Sequence, residues 1–279
     1  IVSRNFLNTF YFRSGKKYCC TFICEHGSLY GIVSSRIDEN GFERKRNFMI
    51  QISNLSKKYG ETVFFSDLNY TFENACIYGL VGRNGAGKTT LLNILSNYDK
   101  NYTGVISIDR KKMNKVDYLD MPVAYAMDQP SFFNELTIYE NLLLIASSRK
   151  IKKQEAFDKI ERILDGLGLK KYENYSPLEV SKGTMQRLNN ACAMIQEEKI
   201  TIFDEPFSGL DPVQMKLLEN VIVEFHKKEK GIYIISSHDI ECLQNVCDKC
   251  LLLHNGQIRE INMEEVDREE IAKILSEGE

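Results

Sequence analysis

No uninterrupted apolar run in the 279 residues approaches the roughly 18 residues that a membrane-spanning helix needs. The best candidate, Leu142 to Ala146, is far too short, so any work at a membrane falls to a partner. Nor does one sign of charge dominate. Lys and Arg number 36 against 39 Asp and Glu, and a net charge of −3 gives no electrostatic footprint for nucleic acid. The basic run Arg149, Lys150, Lys152 and Lys153 reads as a solvated connection between helices. A convergent zinc site is missing too. Cys242, Cys247, Cys250 and His254 have suggestive spacing, but five residues along an expected helix rotate by about 140°, which parts Cys242 from Cys247. Cys250 and His254 fall about 13 Å apart on an expected strand, whereas zinc ligands must converge within about 2.3 Å of one ion. Buried, reduced cysteines are the better reading, in keeping with a cytosolic compartment.

What is present is a globular composition, 43% hydrophobic and 27% charged, enough for the core of one large domain or two small ones. Its chemistry centres on Gly82-Arg83-Asn84-Gly85-Ala86-Gly87-Lys88-Thr89-Thr90, which fits G-x-x-x-x-G-K-[ST]. The stretch follows an apolar run, Ala75 to Val81, that reads as a buried strand, and precedes a helical pattern from Thr89 to Asn97. Glycines at 82, 85 and 87 allow a tight turn whose N–H groups point inward, a nest for a polyphosphate at the start of a helix. Lys88 is placed to reach the β- and γ-phosphates and the Thr89 hydroxyl to ligate Mg²⁺. The loop alone does not separate a kinase from a GTPase or a transport motor.

Residues 1–48 differ from the rest: they mix Cys19, Cys20, Cys24 and His26 with scattered aromatics and lack helical or strand periodicity. Glu43-Arg44-Lys45-Arg46 can be encoded entirely in purines, as a bacterial ribosome-binding site would be, just ahead of Met49. The segment is read either as non-native, translated upstream sequence before a start at Met49, or as a disordered extension. N-terminal sequencing of protein made from the native gene separates the two, and a start upstream of Met49 excludes the first. The segment lacks the character of a signal peptide.

From Met49 the patterns are orderly. Ile50 to Ser53 alternates as an edge strand, and Lys57 to Gly60 turns the chain into a second strand near Val63 to Phe65, followed by Asn69 to Phe72. Tyr59 has the aromatic ring to stack on an adenine, or simply to pack. Val105 to Ile108 and Val123 to Met127 are further strands, the latter leading to a polar Gln129. Thr137 with Glu140 forms a capping box for the next helix, and a second amphipathic helix runs from about Gln154 to Leu167. Ser181 reads as the N-cap of a helix reaching about Gln196, a second potential phosphate site through its hydroxyl, the Gly183 N–H and the helix dipole. The apolar strand Ile200 to Phe203 ends at Asp204-Glu205-Pro206, where open α/β sheets place ligand chemistry. Asp204 is therefore read as holding Mg²⁺ opposite Thr89, and Glu205 as general base for the attacking water. A helix to about Glu229 and a parallel strand Ile232 to Ser236 lead to His238, placed to touch the γ-phosphate. Leu251 to Ile261 reads as a hairpin turning at Asn255-Gly256, and a short acidic helix, Glu264 to Leu275, closes the sequence with no added regulatory domain of any size.

Taken in order, Tyr59, the loop 82–90, Gln129, the segment Ser181 to Arg187, Asp204-Glu205, Ser208-Gly209-Leu210-Asp211 and His238 resemble the ATP-binding subunit of ABC transporters, over Met49 to about Asn262. The resemblance implies a RecA-like α/β P-loop NTPase core (49–128 and 197–279), a helical subdomain (129–196) and a small antiparallel β subdomain. It implies ATP and Mg²⁺ as cofactors, with Tyr59, Gly82 to Thr90, Gln129, Ser181, Gly183 and Asp204 about the nucleotide. Thr89, Gln129 and Asp204 would serve the metal, and Glu205, His238 and Lys88 the hydrolysis. Gln129 would also link nucleotide state to movement of the helical subdomain. Partners are implied likewise: a separate membrane-spanning permease, and a second ATPase subunit, identical or related, whose Ser181 and Gly183 close over the ATP held by Lys88. No nucleic acid is expected, and the location is peripheral, on the cytoplasmic face of the cell membrane. Lys182 and Thr184 depart from the commonest signature and are similar to the Ser-Lys-Gly-x-x-Gln-Arg variant of bacterial drug, bacteriocin and bacitracin-type exporters. Export of drug- or peptide-like substrates is the function this implies. The alternative is a soluble ABC-type ATPase acting on DNA or ribosomes; no long coiled coil interrupts residues 90–181, and there is one nucleotide cassette with no basic linker.

Overall fold

A computed structural model describes residues 11–13, 16–18, 48–116 and 121–262. Strands Tyr11–Arg13 (β1) and Lys16–Tyr18 (β2) pair antiparallel, inside a segment whose sequence carries no strand periodicity. The remainder of that segment, with Cys19, Cys20, Cys24 and His26, lies outside the described residues, as does the expected helix Glu264 to Leu275.

Two sheets organise the chain from Met49 onward. Met49–Tyr59 (β3) and Thr62–Glu73 (β4) form a long hairpin. Cys76–Val81 (β5) leads into the helix Lys88–Leu95 (α1), after which Thr103–Ile108 (β6) and Lys111–Lys112 (β7) complete an antiparallel sheet in the order β4-β3-β6-β7. The expected edge strand is therefore interior: β3 is hydrogen-bonded on both sides, by β4 and β6. Likewise the two strands expected at 63–65 and 69–72 are one. Bulges between Ile52 and Leu55, Leu55 and Lys57, and Lys57 and Lys58 interrupt the alternation that sequence reading depends on. Asn54 and Asp67 absorb them with φ of 52° each. Facing the first bulge, Gly104 at φ 97° brings its backbone so close that a Cβ would lie 2.3 Å from the Asn54 carbonyl oxygen.

The chain then alternates strand and helix. Val123–Ala126 (β8) precedes Ile138–Ser148 (α2), Lys153–Gly166 (α3) and Lys182–Met194 (α4). Ile200–Phe203 (β9), Pro212–Glu229 (α5), Ile232–Ser237 (β10), Lys249–His254 (β11) and Gln257–Ile261 (β12) complete it. The second sheet has the order β12-β11-β5-β10-β9-β8, parallel except for β12. Its residues alternate between two cores. Ile77 and Val81 of β5 join the side chains of α2 to α5, while Tyr78 and Leu80 face α1 and the antiparallel sheet. Burying both faces accounts for the near-continuous apolar runs of β5, β9 and β10. Because these strands are parallel neighbours, their C-terminal ends deliver the loops after 81, 203 and 237 to one edge.

The cysteines differ in one respect from expectation. Cys242 lies on a 3₁₀ turn, Glu241–Leu243, and Cys247 comes after it, so the two share no helix. Burial pushes the Cys250, Cys192 and Cys242 thiols up to about 12, the protonated form of a packed side chain.

Candidate active site

Backbone conformation builds the loop at the end of β5. Gly82 carries no strain but abuts the neighbouring strand: a Cβ there would lie 2.8 Å from the Leu253 carbonyl oxygen. At the other end Gly87, at φ 98°, starts α1 with no side-chain cap, leaving the first N–H groups of the helix directed at the loop. A Cβ on Gly87 would meet the rings of Phe64 and Phe65 at 3.1 Å, so β4 forms the wall beside the loop. A cavity of about 380 Å³ opens here, lined by Arg83, Asn84, Gly85, Gly87, Lys88, Thr89 and Thr90, and by Phe64, Asp128, Glu205, Ser208 and His238 from other elements.

Charge in this cavity is organised around Glu205. Lys88 is buried; its Nζ donates to the Gly82 carbonyl at 2.6 Å and stands 3.4 Å from Glu205 Oε1. The other carboxylate oxygen, Oε2, is 2.9 Å from His238 Nδ1. Glu205 occupies the left-handed region, φ 48°, just beyond β9. Two side chains hold it there: its N–H donates to Ser236 Oγ at 2.9 Å, and Gln186 Nε2 from α4 donates to its carbonyl at 3.3 Å.

Asp204, 1% exposed, lies one residue earlier. Ser236 Oγ donates to its Oδ1 at 2.6 Å and Tyr125 OH to its Oδ2 at 3.4 Å, and the Thr89 hydroxyl lies close enough to act on the same carboxylate. Burial raises the pKa of this carboxyl; the Ser236 and Thr89 bonds oppose the rise, and the charges of Glu205 and Asp128 add to it. A hydroxyl beside a carboxylate offers oxygen donors of the kind Mg²⁺ takes, so Thr89 and Asp204 fit that ion.

Other expected residues lie elsewhere. Tyr59 does not line the cavity; its hydroxyl donates to Asp99 Oδ2 at 2.5 Å and its ring meets Phe64 edge-on, centroids 5.5 Å apart. Gln129 is exposed and likewise outside the lining, whereas its neighbour Asp128 is within it. Ser181 does cap α4, its Oγ accepting from the Thr184 N–H at 3.2 Å, and Gly183 packs near Gln214 and Gly209, but neither reaches the cavity of this chain. Phe64, Asp128 and Ser208 are the lining residues to which sequence reading gave no site role. Ser208 lies in a noted loop, and Asp128 stands beside a noted residue; Phe64 carries no motif.

Comparison with known proteins agrees with this geometry. A family described as ABC transporter matches residues 65–208. Bacitracin transport ATP-binding protein BcrA of Enterococcus faecalis is 30% identical over 223 residues, 79% of this chain and 71% of the relative. Tungstate uptake system ATP-binding protein TupC of Peptoclostridium acidaminophilum is 29% identical over 211 residues, 76% of this chain and 97% of the relative. A solved structure, described as the ATP binding subunit of an ABC transporter, superposes with a TM-score of 0.70 at 26% identity, covering 82% of this chain and 95% of that one. With the phosphate loop, the paired carboxylates and the histidine meeting in one cavity, the chain belongs to the ABC transporter family, as its ATP-binding and ATP-hydrolysing subunit.

Proposed function

We propose that this subunit powers a membrane exporter of drug- or peptide-like substrates, and that Glu205 is the general base of its ATP hydrolysis. The observation that carries the catalytic reading is the line Lys88, Glu205, His238: one carboxylate bonded to a histidine and paired with the phosphate-loop lysine. Glu205 takes the proton of the water that attacks the γ-phosphate. His238 holds Oε2 and so orients the other oxygen, while Lys88 is placed to exchange the Gly82 carbonyl and Glu205 for phosphate oxygens. The glycine loop and the uncapped start of α1 bind the phosphates, and Phe64 supplies the apolar wall. Thr89 and Asp204 would hold Mg²⁺, which would supply positive charge beside the phosphates.

Ser181 and Gly183 support a head-to-tail pair, because they lie outside the cavity of their own chain and are left to serve a partner's nucleotide. The membrane work is assigned to a separate permease, which places the subunit at the cytoplasmic face; among the described residues no helix is long and apolar enough to cross a membrane. Export is supported by the Ser181-Lys182-Gly183 signature and by similarity to a protein named for bacitracin transport, although a protein named for tungstate uptake matches almost as well.

Glu205→Gln tests the chemistry: hydrolysis should fall about 10²- to 10⁴-fold with ATP still bound, and normal turnover would remove Glu205 from its role. Affinity capture of the same variant from membranes solubilised with MgATP tests the assembly. A stoichiometric multi-span protein is expected, and recovery of ribosomal or DNA-repair factors instead would refute transport.

A further inference from the structure

We propose that Asn189 and Asn190 of α4 are positioning residues for ATP hydrolysis: their amides hold the loops that leave β8 and β9, and so set where the Glu205 carboxylate stands. This rests on the reading of Glu205 as the base and extends it to residues outside the cavity.

The loop after β9 has few handles. Pro206 has no N–H to donate, so the backbone on either side of it is gripped through carbonyl oxygens. Helix α4 grips two in succession: Gln186 Nε2 donates to the Glu205 carbonyl at 3.3 Å, and Asn190 Nδ2 to the Pro206 carbonyl at 3.2 Å. Residues 186 and 190 lie one turn apart on one face of the helix, so their bonds reach adjacent peptide units. Pro206 is buried, and its carbonyl takes no other hydrogen bond among the described residues. Asn189, rotated by about 100° from Asn190, reaches the neighbouring loop, where its Nδ2 donates to the Met127 carbonyl at 2.7 Å. The two loops are themselves joined, because the Asp204 N–H donates to the Ala126 carbonyl at 2.9 Å. Three amides thus fix both loops against one helix.

The chemistry of position 190 separates this role from packing. Asn190 is fully buried in a helix whose Leu188, Ala191, Ala193 and Met194 belong to the apolar core. Because the Pro206 carbonyl can only accept, the amide nitrogen faces it, and Asn190 Oδ1 is left with no hydrogen-bond partner among the described residues. An unpaired buried acceptor is destabilising, and an apolar side chain would not carry one. What Asn190 contributes instead is a donor to the residue next to Glu205. Glu205 itself stands in left-handed backbone, φ 48°, a conformation that its surroundings must hold.

The test compares variants of the full chain by thermal melting and steady-state ATPase assays. Asn190→Leu exchanges one unpaired buried acceptor, Asn190 Oδ1, for another, the Pro206 carbonyl. Its melting temperature should therefore stay within about 3 °C of wild type. Its kcat should nevertheless fall about tenfold or more as the carboxylate loses its place, with the KM for ATP changed less than about threefold. Asn189→Ala should lose kcat in the same way, through the Met127 loop. Leu188→Ala is the packing control: it opens a cavity in the same helix and lowers the melting temperature, yet it keeps both amides and should hold kcat within about threefold of wild type. A purely structural role predicts turnover lost in proportion to melting temperature across these variants, and that result would overturn the inference. So would an Asn190→Leu protein that melts and turns over as wild type does. Should Asn190→Leu not fold, Asn190→Ala is set against Leu188→Ala in the same way. Glu205→Gln in the same assays keeps the two readings apart. If it turned over normally, the role of Glu205 would fall and this inference with it, whereas an inactive Glu205→Gln beside a fully active Asn190→Leu would remove the inference alone.

Discussion

Replacing Ser236 by Ala removes a single oxygen that holds both carboxylate residues at the end of β9. Its hydroxyl donates to Asp204 Oδ1 at 2.6 Å and accepts from the Glu205 N–H at 2.9 Å. Ser236 is 0% exposed and Asp204 1%, so water cannot take over either bond without opening the site. A hydrogen bond to a charged group contributes about 1.5–3 kcal/mol, and an orphaned buried N–H costs about 1–3 kcal/mol. The two effects share one atom and the loop relaxes in part, so we expect a loss of about 3 kcal/mol. At about 2–4 °C per kcal/mol for a domain of this size, the melting temperature should fall by roughly 6–12 °C. Turnover should fall as well, because the N–H that fixes the left-handed turn of Glu205 is released and its carboxylate loses its aim. Calorimetric melting and steady-state ATPase assays read the two effects. Ser237→Ala is the comparison, since the Ser237 hydroxyl accepts from the Asp239 N–H and touches neither carboxylate. If Ser236→Ala melted with wild type and turned over normally, the shared hydroxyl would not be what holds the site.

Gly82→Ala should cost about 1–3 kcal/mol in urea unfolding and weaken nucleotide binding, because its Cβ would meet the Leu253 carbonyl oxygen at 2.8 Å and Ala86 Cβ at 3.3 Å, neither on a flexible side chain. Wild-type stability and affinity would show that the loop has slack. Stability should also carry a pH signature from Glu198, whose carboxyl burial pushes up to about 7 despite Arg149 Nη1 at 2.8 Å. Between the ordinary glutamate value of 4.5 and about 7 the folded chain keeps a proton that the unfolded chain has lost, so this contribution is full at low pH and disappears as pH rises through about 7. Glu198→Gln should remove that slope: its urea midpoint should gain on wild type between about pH 5 and about pH 8, and parallel midpoints would refute the assignment.

Signals that were legible in the sequence are those completed within a few residues. The Thr137 capping box has both bonds, Glu140 N–H to Thr137 Oγ1 at 3.1 Å and Thr137 N–H to Glu140 Oε2 at 2.9 Å. Asn255-Gly256 turns a hairpin in the register expected of it, and Ser181 and Asp211 each cap a helix. The meeting of Lys88, Glu205 and His238 was also legible, since parallel strands carry their following loops to one edge. Illegible features depend on distant partners. The bulged pairing of β3 is closed by Gly104 from another strand. That Asp128 and not Gln129 lines the cavity follows from the path of the chain leaving β8, where Asn189, 62 residues further on, donates to the Met127 carbonyl. At an irregular strand end a shift of one residue reverses the face presented, and a motif that names a residue type carries no record of that shift.

The strand order of the larger sheet has a consequence for how the chain is made. β5, which ends in the phosphate loop, has as its neighbours β10 and β11: Cys76 pairs with Ile232, and Tyr78 with Lys249. The antiparallel sheet around β3, β4 and β6 needs only nearby chain and can assemble while synthesis continues. The phosphate-loop strand has to wait for β10 and β11 to leave the ribosome, its apolar edges uncovered until they do. The loop that recognises nucleotide is thus synthesised well before the two strands that flank its own, and its setting is completed only when β10 and β11 take their places.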